Sequence, residues 1–186
     1  MPELLIDFIT SLDGHASAVG WPGYWGLEVP EYASWLEQAP ERDHTVLMGA
    51  TTYQVMTDLL ATTDDVDVAT LTAADKVVFS STLEEPLAWA NTRLVSGDAV
   101  EAVRSMKEHG DRGLRTLGSL SLCRSLLEAG IVDRFRVVVF PVVTGSTGRE
   151  RIYEGWPDVA LDLVASRTFD GRLQLLEYLP TVLRRP

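Results

Sequence analysis

The chain is predicted to fold as an alternating α/β protein closed by an antiparallel pair of strands. Short runs rich in Val, Ile, Leu and Phe alternate with stretches whose apolar residues recur at helical spacing. Twice, at Leu47–Thr52 and at Arg115–Leu120, an apolar run passes through small residues straight into a helix. Near the end, Asp170-Gly171 separates two alternating runs, Val159 to Thr168 and Arg172 to Leu179, which is a hairpin signature. Residues 1–186 are expected to form one domain, long enough to bury about 70 per cent of its unfolded surface.

Leu4 to Thr10 reads as the first strand, ending in the turn Ser11-Leu12-Asp13-Gly14. Asp13-Gly14 is either an ordinary turn or a carboxylate at the carboxyl end of a central strand, where open α/β sheets place ligands. Residues 15 to 27 read as a loop with four glycines or prolines and three large aromatics, Trp21, Tyr24 and Trp25. Exposed tryptophans must pack on something: a flat ligand, the core or another subunit. His15 in the same loop reads as structural or solvated. Pro30 opens a helix with Tyr32, Trp35, Leu36 and Ala39 on one face. Glu28 and Glu31 near its start either complement the helix dipole or offer a proton to a pocket.

Thr45 to Met48 is a second buried strand, followed by Gly49-Ala50-Thr51-Thr52-Tyr53 and a helical run through Val55, Met56, Leu59 and Leu60. Thr51 or Thr52 can cap that helix and also donate a hydroxyl to a phosphate. Residues 61 to 75, rich in Thr and Asp, read as a surface loop without assigned chemistry. Lys76 to Ser81 and Leu94 to Ser96 are further strands. Asp98 with Glu101 makes a capping box ahead of a helix buried through Val100, Val103 and Met106.

The unit from Arg115 to Gly148 packs a strand, a glycine turn, a helix and a second strand together. Gly118-Ser119 is a turn where backbone can approach a ligand closely, with Ser119 as the expected N-cap. Leu122, Cys123, Leu126 and Leu127 form one helical face, and Gly130 ends it. Val137 to Phe140 is a strand buried on both faces. A strand feeding a helix through small residues aims unpaired N–H groups and the positive helix end at one spot, which attracts phosphate. Taken alone, either junction can be a tight connection; two on one sheet are harder to read so.

Sixteen basic against 27 acidic residues give a net charge of −11, which argues against nucleic acid as a partner. No apolar run approaches the roughly 18 residues of a membrane span, and the first residues carry no leader pattern, so no membrane partner and a cytoplasmic location are expected. The one cysteine, Cys123, rules out an internal disulfide, is expected to pack in the core, and leaves no multi-cysteine metal site.

Four segments together resemble the dihydrofolate reductase-like superfamily, and within it the reductase (RibD C-terminal) domain of the riboflavin-biosynthesis deaminase-reductase and its stand-alone bacterial relatives. They are Ser11–Gly14, Leu47–Tyr53, Lys76–Leu83, and Gly118-Ser119 followed by Gly130–Asp133 and Pro141–Val143. The resemblance implies a three-layer α/β sandwich whose mostly parallel central sheet carries a carboxyl-terminal antiparallel hairpin. It implies NADPH, with NADH as the alternative, laid across the strand ends. Gly49, Thr51 and Thr52 would meet the pyrophosphate side, Ser80 and Ser81 the adenosine ribose, and Gly118, Ser119 and Leu120 the diphosphate and nicotinamide. Asp13 and Gly14 would lie near the nicotinamide and substrate. A homodimer is also implied, with Val137–Val143 or the Trp-bearing loop as candidate faces.

The chain departs from the family pattern at three places. Ala50 and Ser81 stand where basic residues commonly bind the 2′-phosphate, and losing one charged contact weakens binding by about 10- to 100-fold. Tyr32 stands where dihydrofolate reductases carry a pocket acid, with Glu31 about 100 degrees around the helix, which disfavours folate reduction. The expected activity is therefore hydride transfer from NAD(P)H to a small flat heterocycle, a 5-amino-6-(5-phosphoribosylamino)uracil-like pyrimidine or a pterin. Asp13 and Glu31 are the candidate catalytic residues, and Trp21 and Trp25 the substrate-stacking ones. The alternative is a non-catalytic nucleotide- or heterocycle-binding module on the same fold.

Overall fold

The computed structural model describes residues 1–21, 23–60 and 71–183. The surface loop expected over 61–75 therefore falls for the most part, at 61–70, outside the described residues. In chain order the strands are β1 Leu4–Ser11, β2 His15–Ala18, β3 Thr45–Gly49, β4 Lys76–Phe79, β5 Thr92–Val95, β6 Leu114–Thr116, β7 Arg134–Phe140, β8 Gly148–Arg151, β9 Val159–Phe169 and β10 Leu173–Val182. The helices are α1 Pro30–Gln38, α2 Ala50–Leu60, α3 Ala99–His109 and α4 Leu120–Glu128.

Eight strands form one sheet in the order β5-β4-β3-β6-β1-β7-β10-β9. The first six run parallel, and β10 and β9 return antiparallel to β7. This is the mostly parallel sheet with a carboxyl-terminal hairpin that the sequence predicts. Pleating divides the strand residues between two faces. On one face Tyr32 of α1 packs with Val138, Phe140, Phe169 and Leu175, while Tyr53 of α2 packs with Val46, Met48, Val78 and Trp89. On the other, Val103 of α3 and Leu122 and Leu126 of α4 cover Leu4, Leu47, Val77 and Leu114, and Cys123 and Leu127 of α4 cover Ile6, Phe8, Phe135 and Val137. Helices on both faces make the three layers.

The helix starts follow the sequence cues in part. Asp98 caps α3, its carboxylate accepting from the N–H groups of Val100 and Glu101 at 2.8 and 3.1 Å. Pro30 opens α1, but no residue of that segment caps it. The carboxylate of Asp170, in the β9–β10 turn, accepts from Glu31 N and Tyr32 N at 3.0 and 3.3 Å, and the Glu31 carboxylate accepts from Asp170 N at 2.6 Å. The hairpin turn thus supplies a reciprocal cap from 139 residues away.

One expectation is corrected. Residues 15–27 are not wholly loop: His15–Ala18 forms β2, paired with β8 just after the Pro141–Gly148 turn. Gly148 lets this ribbon close, since a Cβ there would lie 2.6 Å from both His15 Nδ1 and Thr144 Oγ1. Val137 to Val139 lies inside the sheet, paired with β1 on one edge and β10 on the other.

Candidate active site at the strand ends

Because β6 lies beside β3, their two strand-to-helix junctions stand next to each other at the carboxyl edge of the sheet. One side chain joins them. The Ser119 hydroxyl accepts from Gly49 N at 2.7 Å and donates to Thr52 Oγ1 at 2.7 Å. The residue is where an N-cap was expected, but its side chain caps nothing in its own helix. The turn is tight: Gly118 has φ +54° and Ser119 follows at φ 61°, ψ 67°. A non-glycine residue in this left-handed region costs on the order of 1–3 kcal/mol, and such strain collects at functional sites.

The cradle is lined by backbone. A Cβ on Gly49 would sit 3.6 Å from Ser119 Oγ, and one on Gly118 would sit 3.6 Å from Thr52 Oγ1, so either would fill the space between the junctions. No side chain caps the first turn of α4, which leaves its N–H groups and positive helix end facing that edge. Leu120 opens the helix with its side chain packed inward, and Thr51 is exposed. Ser80, after β4, is occupied: its hydroxyl accepts from Thr82 N and Leu83 N, at 3.1 and 3.0 Å. Ser81 beside it is exposed.

Asp13 and Gly14 lie at the carboxyl end of β1, the next strand after β6. The Asp13 carboxylate accepts from Ser11 Oγ at 2.7 Å, from Thr144 N and Oγ1 at 3.1–3.2 Å and from Gly145 N at 2.9 Å. These hydrogen bonds, that from Ser11 first, hold the carboxyl well below the usual carboxylate range. Asp13 is therefore an ionised acceptor that ties the β1 turn to the turn after β7, and it has no proton to relay at neutral pH. His15 Nδ1 joins the same cluster, 3.0 Å from Thr144 Oγ1 and 3.4 Å from Asp13. Gly14, at φ +83°, accepts from Ile152 N through its carbonyl and closes the turn on β8.

The remaining candidates are placed elsewhere. Trp25 is buried against Phe140 rather than open to a ligand, so the core claims it. Trp21 is half exposed and covers Gly26, whose Cβ would meet the indole at 2.9 Å. Glu31 is spent on Asp170, beyond β1 and β7, which accounts for it without a proton-donor role. Glu28 gives only its carbonyl, to Arg172. Cys123 is fully buried, and burial pushes its thiol up to about 12.

Sequence reasoning missed a buried charge network on the α1 face. Arg136, 2 % exposed, grips Asp7 with two hydrogen bonds of 3.1 and 2.7 Å and reaches Glu41 at 3.4 Å. Arg134 pairs with Glu3, Glu41 and Glu177. The available signal was an aspartate in the middle of one apolar strand and arginines in another. Beside this network, Arg115 of β6 points to the same face with its Nε buried and without a hydrogen bond among the described residues.

With this geometry established, comparison with known proteins places the chain. The RibD C-terminal domain model matches residues 2–175. The chain belongs to the RibD C-terminal domain family. Uncharacterized protein YyaP of Bacillus subtilis (strain 168) is 23% identical over 183 residues, covering 95% of this chain and 94% of the relative. Among solved structures, the diaminohydroxyphosphoribosylaminopyrimidine deaminase/5-amino-6-(5-phosphoribosylamino)uracil reductase of Thermotoga maritima matches 97% of this chain at TM-score 0.66 and 16% identity. The match takes in 57% of that longer chain. Dihydrofolate reductase from Enterococcus faecalis, complexed with NADP(H), matches 96% of each chain at TM-score 0.61 and 12% identity. The fold is thus the reductase-like one of the family and of dihydrofolate reductase. Among the described residues, no helix is long and apolar enough to cross a membrane, and no group of three or more His, Cys, Asp or Glu side chains could hold a metal ion.

Proposed function

We propose that the chain is a nicotinamide-dependent reductase that transfers hydride from NADPH, with NADH as the alternative, to a small flat heterocycle. The observation that carries this reading is the pair of strand-to-helix junctions bridged by Ser119 Oγ, with an uncapped helix start and two backbone-lined gaps beside it. Gly49, Thr52, Gly118, Ser119 and the first turn of α4 fit a pyrophosphate, which wants N–H and hydroxyl donors and close backbone approach. The fit to a 2′-phosphate is poorer, because Gly49–Tyr53 and Ser80–Leu83 carry no lysine or arginine. Discrimination between the two nicotinamide cofactors should therefore be modest.

The bound nicotinamide supplies the hydride; the chain orients, excludes water and stabilises charge. Asp13 fixes the turn over the end of β1 through Thr144 and Gly145, and half-exposed Trp21 stands over the neighbouring loop. Arg115 offers a buried Nε–H donor with no hydrogen bond among the described residues, suited to a ring carbonyl of the substrate. The Thermotoga maritima relative is named for reduction of a uracil derivative, which makes that pyrimidine the first substrate to try and riboflavin biosynthesis the first pathway.

The test is to follow loss of NADPH absorbance with the purified chain against that pyrimidine, other oxo-pyrimidines and pterins. Oxidation that depends on one of them supports the reading. Cofactor binding without turnover of any would favour the alternative, a heterocycle-binding module, which the complete occupation of Asp13 also favours.

A further inference from the structure

Hydride added to a polarised double bond leaves an electron pair on the neighbouring heteroatom, and that atom needs a proton. The two carboxyls first weighed as its source are committed. Asp13 is held ionised by its hydrogen bonds, and the Glu31 carboxylate accepts from Asp170 N. His15 is not. It opens β2 directly after Gly14, at the carboxyl end of β1, and β1 is the strand next to β6.

Its ring is held by one nitrogen. Nδ1 lies 3.0 Å from Thr144 Oγ1 and 3.4 Å from the Asp13 carboxylate, and a Cβ on Gly148 would lie 2.6 Å from Nδ1 and 2.7 Å from Cγ. The Thr144 hydroxyl has one proton to give, and the ionised Asp13 carboxylate, 3.2 Å from it, has none to return. The hydroxyl therefore donates to Asp13 and accepts from His15 Nδ1–H. That fixes the tautomer: Nδ1 keeps its hydrogen in both charge states, and Nε2 is the atom that gains and loses a proton. Nε2 stands across the ring from the Cγ–Nδ1 edge that Gly148 and Thr144 cover, and it makes no hydrogen bond among the described residues. The side chain keeps 9% of its surface exposed, enough for that edge to meet a ligand.

We propose that His15 Nε2–H is the proton donor of the reduction, oriented by a relay through Thr144 to Asp13. This rests on the reductase reading given above. The carbon of a substrate C=N or C=O bond accepts hydride from the reduced nicotinamide, and the π pair moves to the heteroatom. That atom bonds to hydrogen as the Nε2–H bond breaks, and the neutral imidazole regains a proton from water while Nδ1–H stays in place. The charged groups that face the ring are the Asp13 carboxylate, which attracts the imidazolium, and Arg151, directly across the β2–β8 ribbon, which repels it. Asp13 and Thr144 are positioning residues that act through His15.

Steady-state rates across pH, cofactor titration and imidazole nitrogen NMR on the full chain test this, with circular dichroism confirming that each variant is folded. His15→Gln should lower kcat by about 100-fold or more and leave the affinity for NADPH and NADH unchanged. It should also lose the single deprotonation through which wild-type kcat falls as pH rises. The NMR readout needs no turnover: the His15 signal, assigned by its loss in His15→Gln, should show hydrogen on Nδ1 in the neutral ring, and Thr144→Val should release that preference. His15→Gln working at the wild-type rate, an unchanged pH profile, or a neutral ring with Nδ1 bare would overturn the proposal and leave the reductase reading standing. A wild type that binds neither cofactor, or reduces no heterocycle, would overturn that reading and the proton donor with it.

Discussion

Asp13 shows how much chemistry one side chain can be given by its neighbours. Four donors from Ser11, Thr144 and Gly145 converge on the carboxylate and leave little room for a fifth. Its part is then positional: it holds the β1 turn against the turn after β7. We predict that Asp13→Ala lowers turnover by ~100-fold through misplacement of the turn while cofactor affinity changes little, since its hydrogen bonds tie it to the turn after β7 and not to Gly49, Thr52 or Ser119. Steady-state rates and a cofactor titration on one preparation check both halves, and wild-type rates would remove Asp13 from the mechanism. The pH dependence follows from the direction of its shift. A carboxyl depressed in the folded state contributes stability above its unfolded pKa, about 3.9, and that contribution is lost as pH falls through the folded value. Acid unfolding of the wild type should therefore contain a component below about pH 4 that Asp13→Asn lacks.

At the scale of the element, α1 depends on a turn that the chain reaches 139 residues later. Asp170 adopts φ 52° in the hairpin turn and from there caps the first N–H groups of α1. Asp170→Gly keeps the left-handed backbone available and deletes the carboxylate. It should cost about 1 kcal/mol in urea unfolding, and unchanged stability would show that the cap contributes nothing. Both partners were legible separately, Pro30 as a helix start and Asp170-Gly171 as a hairpin. Their meeting was not, because no local pattern encodes which turn abuts which helix. The same limit explains Glu31, which reads from sequence as either a complement to the helix dipole or a proton donor to a pocket and in the fold answers Asp170 N. It also explains Trp25: an aromatic in a glycine-rich loop carries no sign of whether it will face ligand or core. The β2–β8 ribbon escaped for another reason, since His15–Ala18 is too short to show a period.

Over the whole molecule, the order of strands turns separate motifs into one site. Parallel strands bring the carboxyl ends of β4, β3, β6 and β1 to the same edge, and with them every expected cofactor position from Ser80 to Ser119. That much was legible, because alternating strands and helices predict a sheet and each small-residue junction marks a strand end. The network under α1 was not: Asp7, Glu41, Arg134, Arg136 and Glu177 come from four elements, and pairing them needs the register of β1 on β7 and of β7 on β10. Arg136→Met should destabilise the fold by about 3–5 kcal/mol, because it leaves the largely buried Asp7 without its counter-charge and Glu41 with Arg134 alone. Denaturant midpoints with an unchanged slope would check that; a loss under 1 kcal/mol would mean the acids relax to water. The proposed function turns on the bridged junctions holding a nicotinamide cofactor. The most direct measurement is a titration of wild type and Ser119→Ala with NADPH and with NADH, following tryptophan emission at one fixed ionic strength. Micromolar binding to the wild type is expected, with about 10-fold weaker binding to the variant, which loses the hydroxyl that joins Gly49 to Thr52. No binding of either cofactor to the wild type, or equal binding to both proteins, would contradict it.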